Sequence, residues 1–117
     1  MRLPAEAELV RIYIGESDKH EGRPLYEAIV HAARRRGMAG ATVLRGLLGF
    51  GAHSRLHAAK ILRLSEDLPI VVEIVDTPER VAEFLPEVDK MMDEGLVTQE
   101  TVRVFAYRHN GGDHASL

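Results

Sequence analysis

No cysteine and no tryptophan occur among the 117 residues, and only six other aromatic side chains are present. Without thiols the chain has no disulfide, no zinc ribbon, no iron–sulfur cluster and no cysteine nucleophile. The scarcity of rings argues against an RNA-binding sheet, which needs exposed aromatics for base stacking, and the final stretch VRVFAY lacks that pattern. No apolar run approaches the roughly 18–20 residues that span a bilayer, and MRLPAEAELV lacks the apolar core of a signal peptide. The expectation is a soluble, cytoplasmic protein that is not membrane-inserted. Also missing are a serine elbow, paired buried carboxylates and an activated nucleophile, which points away from an enzyme.

What is present, 45% apolar and 28% charged residues, suits one compact domain with a real core. The formal net charge of −3 argues against nucleic acid as a partner, yet it conceals a segregation. From Ala28 to Ser65 there is no Asp or Glu, while seven cations (Arg34, Arg35, Arg36, Arg45, Arg55, Lys60, Arg63) accumulate. The stretch therefore carries +7 against −10 for the remainder.

Hydrophobic periodicity orders the elements. ELVRIYIG (Glu8 to Gly15) reads as a strand turning Val10, Ile12 and Ile14 to the core. After a polar loop (ESDKHEGR), Pro24 is expected as the first residue of a helix carrying Leu25, Ile29 and Ala32/Ala33 up to Gly37. Arg34 to Arg36 fall in its last turn, where cations offset the helix dipole by about 0.3–1 kcal/mol each. A second strand is expected over Ala41 to Gly51, and residues 52–68 fit neither period. PIVVEIVD (Pro69 to Asp76) reads as a third strand, with Thr77 and Pro78 as N-cap and first helical residue of a second helix. That helix has a stripe of Val81, Phe84, Leu85, Val88, Met91 and Met92, ends by Gly95, and is expected to bend at Pro86. A last strand is expected over Thr101 to Tyr107, leaving 109–117 as a flexible tail.

The order β-α-β-β-α-β predicts an α+β, ferredoxin-like domain over residues 1–108, with an antiparallel sheet and two helices on one face. Its other face would be uncovered, which points to oligomerisation.

Three clusters can carry chemistry. Gly46, Gly49 and Gly51 with Phe50, flanked by Arg45, Arg55, Lys60 and Arg63, would let backbone amides and guanidinium forks approach an anion; the plainer reading is a strand end with a bulge. The spacing matches neither the dinucleotide fingerprint nor a Walker A loop. His53 and His57 have the i, i+4 spacing of helical metal ligands, against surface histidines with no third ligand nearby. Glu16, Asp18, His20 and Glu21 are read as a solvated charged loop rather than acid–base machinery.

Read as a unit, GATVLRGLLGFG, a basic loop, LPIVVEIVD, a helix closing on EGLV and a final strand resemble the nitrogen-regulatory PII signal-transduction proteins. More closely still, MRLPAEAELVRIYIGESDKHEGRPLYEAIV with RLSEDLPIVVEIVDTPE resembles a PII-like family described as a conserved domain of unknown function. The resemblance covers roughly residues 1–108. It implies a homotrimer with sheets turned inward that binds an adenine nucleotide (ATP, ADP or AMP) at inter-subunit clefts. It also implies control of a partner transporter or enzyme through a mobile basic loop. By the same resemblance Gly49, Phe50 and Gly51 match the family's GFG turn, while Gly95, Arg103 and Arg108 stand for its loop before the last strand and its C-terminal basic residues. The expected lysine-bearing pattern near Gly95 is replaced by EGLVTQE. The alternative is a metal-binding, metal-tolerance trimer of the CutA type, sharing the fold and using His53 and His57.

Overall fold

The computed structural model describes residues 3–51 and 67–109. Strand β1 (Glu6–Gly15) is followed by a short hairpin, β2 (Lys19–His20) and β3 (Arg23–Pro24), then helix α1 (Leu25–Arg35). Strands β4 (Ala41–Arg45) and β5 (Pro69–Asp76), helix α2 (Pro78–Met91) and β6 (Leu96–Arg103) complete the described order. The main sheet runs β4-β5-β1-β6 with every neighbouring pair antiparallel. This is the ferredoxin-like arrangement expected from the sequence.

One face of the sheet builds the core. Val10, Ile12 and Ile14 of β1 lie opposite Ile74, Val72 and Ile70 of β5, and all six are buried. Leu25, Ile29, Ala32 and Ala33 of α1 and Val81, Phe84, Val88 and Met91 of α2 close over them. Both helices therefore spend their apolar stripes on the same face. The other face stays open.

Helix limits follow their caps. Gly37 adopts φ +67°, with Gly37 N–H donating to Arg34 O (2.9 Å) and Met38 N–H to Ala33 O (3.1 Å), the paired bonds of a glycine-terminated helix. Thr77 Oγ1 accepts from Arg80 N–H at 3.1 Å, with Pro78 at the first helical position. Helix α2 continues through Pro86 to Met91. Arg36, just past α1, pairs with Glu87 of α2 (Nε to Oε1, 2.7 Å) and lies over the Phe84 ring, so it staples the helices together as well as closing a helix end.

β1 begins at Glu6 rather than Glu8, and four further features differ from the sequence expectation. Pro24 caps α1 rather than beginning it, because its ψ of 131° is extended. β4 stops at Arg45 instead of Gly51: Gly46 N–H still donates to Pro69 O, but Pro69 begins β5 and has no N–H to return. β6 spans Leu96–Arg103 rather than Thr101 to Tyr107, since β1 offers a pairing edge from Tyr13 to Glu6. The polar loop contains a hairpin, turned at Glu21 (φ +52°) and Gly22 (φ +79°).

Candidate functional site

The glycine-rich end of β4 lies where β1 and β4 finish and where β5 and β6 begin. Gly46 and Gly49 both pack on Pro69: a Cβ would come within 2.7 Å of its Cγ at Gly46 and 3.1 Å at Gly49. Close approach, rather than positive φ, excludes larger residues there. Beyond them Phe50 is exposed, as are Leu47 and Leu48. Gly95 borders this end from β6, at φ +140° beneath the carbonyl of Tyr13.

Arg45 is not a free cation. Its Nε lies 3.3 Å from Glu16 Oε2, so the loop after β1 places an acid against the basic strand end. The rest of that loop is structural. Asp18 Oδ2 accepts from Gly15 N–H at 2.9 Å, and Asp67 Oδ1 accepts from the Ser17 hydroxyl at 2.7 Å. His20 faces Glu21 at 3.8 Å. The charged cluster thus holds the turn after β1, and Glu16 reaches the candidate anion site.

Arg103 and Arg108 are elsewhere. Arg103 pairs with Glu6 at the start of β1, the opposite end of the sheet, and both arginines are exposed. Eight residues of β6 separate Arg103 from the Gly95 end, a span of about 25 Å. Within one chain the expected ligand residues therefore form two groups: Arg45, Gly49, Phe50, Gly51 and Gly95 at one end, Arg103 and Arg108 at the other. Arg55, Lys60, His53 and His57 lie outside the described residues. Among the described residues no three His, Cys, Asp or Glu are grouped to hold a metal ion.

The Arg103 end holds a cavity of about 450 Å³ that no single stretch of sequence announces. Ala39, Gly40 and Thr42 supply one wall, Glu73 and Val75 the sheet side, and Ala106 and Tyr107 the segment after β6. Apolar walls with a hydroxyl, a carboxylate and a phenol are the composition of small-molecule pockets. Its residues come from four separate segments, and only the sheet register brings them together. Ala39 is fixed from both sides: the fully buried Asp76 accepts its N–H at 2.8 Å, and Tyr107 Oη donates to its carbonyl at 2.9 Å. Asp76 also accepts from Thr77 N–H at 2.7 Å and faces Arg80 Nε at 3.2 Å.

On the open face a row crosses all four strands: Leu44, Val71, Tyr13 and Leu96 are successive register partners. Leu44, Tyr13 and Leu96 are 48%, 39% and 57% exposed. Beside this row Arg11 bridges Glu73 (3.0 Å) and Glu100 (2.6 Å), and its hydrogen bond to Glu73, foremost, holds its pKa above the ordinary arginine value.

The profile of the DUF190 family, described as "Uncharacterized ACR", matches residues 7–104. A UPF0166 protein of Aquifex aeolicus is 40% identical over 96 residues, covering 82% of this chain and 90% of the relative. A UPF0166 protein of Methanocaldococcus jannaschii is 36% identical over 93 residues, covering 79% and 85%. Among solved structures, CPII of Thiomonas intermedia bound to ADP and bicarbonate superposes with a TM-score of 0.61 at 19% identity, covering 85% of this chain and 88% of that one. A putative PII-like signaling protein of Thermus thermophilus gives 0.54 at 19% identity, covering 89% and 91%. The fold is PII-like. No helix among the described residues is long and apolar enough to cross a membrane.

Proposed function

We propose that this chain, which belongs to the DUF190 family, is a non-enzymatic PII-like regulatory protein that binds an adenine nucleotide in clefts between the subunits of a homotrimer. The observation that supports this reading is the split of the residues expected to bind an anion between sheet ends about 25 Å apart, too far to share one ligand within a chain. A neighbouring copy removes the difficulty. If sheets pack through the row Leu44, Val71, Tyr13 and Leu96, the glycine-rich end of one subunit can meet the Arg103 end of the next.

In that cleft the two ends have complementary chemistry. The cavity offers apolar walls and a few polar groups to a base, and Arg103 and Arg108 near it supply donors for phosphate. Gly46 to Gly51 and Arg45 bring backbone amides and a guanidinium from the other side. The choice of an adenine nucleotide is supported by CPII, which shares the fold and was solved with ADP and AMP.

The β4–β5 connection, with Arg55, Lys60 and Arg63 and no acid before Glu66, begins at this cleft. Binding at its root changes the surface offered to a partner transporter or enzyme, a shift in population between two surface states. Calorimetry with ATP, ADP, AMP and cyclic nucleotides tests the ligand, and sedimentation equilibrium tests the assembly against three times the 13.0 kDa chain mass. Saturable binding by a trimer is the expected result. A chain that binds none of these nucleotides at millimolar concentration, or binds them as a monomer, overturns the proposal.

A further inference from the structure

Residues 104–109, which follow β6, stay against the sheet. They cross the end of the sheet from the β6 edge toward β4, and two hydrogen bonds tie residues 104–107 down. Val104 N–H donates to Ala5 O at 2.7 Å, and Tyr107 Oη donates to Ala39 O at 2.9 Å. Between these points Ala106 lines the cavity, while Phe105 is 98% exposed. The segment is thus a strap: one face is a cavity wall, and little packing holds the other.

The two fastenings differ in kind. The first continues the backbone pairing of β1 with β6 and needs no particular side chain. The second depends on one phenol. Its acceptor is rigid, because Ala39 N–H is bound to the buried Asp76 and the same carboxylate anchors the start of α2. A single hydroxyl meeting a fixed carbonyl is a latch whose removal leaves the anchor standing.

We infer that Tyr107 is a positioning residue for the ligand cleft: its hydroxyl latches the strap over the cavity it lines and thereby restrains Arg108, the next residue in the chain. This rests on the proposed nucleotide site. An open strap carries Arg108 away, so only the latched fraction of molecules presents it to the ligand. Apparent affinity scales with that fraction. Loss of one hydrogen bond of ordinary strength divides the latch equilibrium by up to about tenfold, which takes a latch closed about nine-tenths of the time to about half closed and weakens binding about twofold.

The test is Tyr107→Phe, which keeps the ring and removes the hydroxyl, with Arg108→Ala and the double variant. Affinity for ADP is measured by calorimetry, and the rate of trypsin cleavage at Arg108 is measured without nucleotide. The expected results are about fivefold faster cleavage in Y107F, an ADP affinity lowered about twofold, and a double variant no weaker than R108A alone, because the two act in series. Thermal unfolding without ligand should stay close to wild type, which separates latching from general stabilisation. Unchanged ADP affinity in Y107F, or losses that add in the double variant, overturn the inference while leaving nucleotide binding intact. Unchanged cleavage overturns the latch itself, independently of any ligand. Wild-type protein that binds no ADP overturns the proposed function, and with it the ligand half of this inference.

Discussion

Arg45 Nε lies 3.3 Å from Glu16 Oε2, so the only cation of the glycine-rich strand end among the described residues already has a counter-ion. Glu16 follows Gly15, the last residue of β1, and its backbone N–H is held by Leu68 O at 2.8 Å, which fixes the acid beside Arg45. A ligand phosphate at Gly46 to Gly51 must compete with this carboxylate for the guanidinium.

Glu16→Gln is accordingly expected to strengthen nucleotide binding. Arg45 is 59% exposed, and pairs of that exposure are worth at most about 1 kcal/mol, so the gain should be no more than about fivefold. Fold stability should hardly change. Calorimetric titration of the variant with ADP checks this, and equal or weaker affinity would show that Arg45 does not meet the ligand.

Asp76→Ala should be far more damaging, although no ligand group is removed. The fully buried carboxylate accepts from Ala39 N–H and Thr77 N–H and faces Arg80. Truncation strands two amides and a cation whose own Nη2 is committed to Arg36 O and Gly37 O. A loss of about 3 kcal/mol is expected, read as a lower denaturation midpoint in urea. Asp76→Asn keeps one carbonyl acceptor and should fall between wild type and Ala. Near-wild-type stability of D76A would mean that the α1–β4 and β5–α2 junctions do not depend on this hub.

Gly95→Ala tests the other end of the sheet. At φ +140° a side chain is strained, and the added Cβ would sit 2.8 Å from the backbone oxygen of Tyr13 and 2.5 Å from Met92 Cε. Met92 can move, but a strand carbonyl cannot without disturbing β1. The expected cost is about 2 kcal/mol or more, seen as a lowered unfolding midpoint. A variant as stable as wild type would show that β6 can begin without this turn.

The element order was legible because its signals are local. Gly37 ends α1 by its left-handed backbone, Thr77-Pro78 opens α2, and the alternation of β5 matches its burial. Strand ends were less legible, since they depend on the partner: β4 stops because Pro69 lacks an N–H, and β6 starts early because Tyr13 is there to pair. The glycine-rich end could be located from composition, but its counter-ion Glu16 sits 29 positions before Arg45 in the numbering and looked like part of a solvated loop. The cavity was not legible. Thr42, Glu73 and Tyr107 carry no common motif, and Tyr107 read as the end of a strand rather than as a latch on Ala39.

Leu44→Asp addresses the proposed trimer and the proposed site divided between its subunits. Leu44, Val71, Tyr13 and Leu96 form one apolar row across the open face, and Leu44 is its outermost member on β4. Because Leu44 is 48% exposed in the single chain, an aspartate there costs the subunit little. Buried against another copy without a cation, the same carboxylate carries a desolvation penalty of several kcal/mol. The variant should therefore sediment as a folded monomer with a wild-type circular dichroism spectrum. ADP affinity should fall with it, because the Gly46 to Gly51 end and the Arg103 end then no longer meet. A monomeric L44D that binds ADP as well as wild type would place the whole site within one chain, and an L44D that stays trimeric would move the interface off this face.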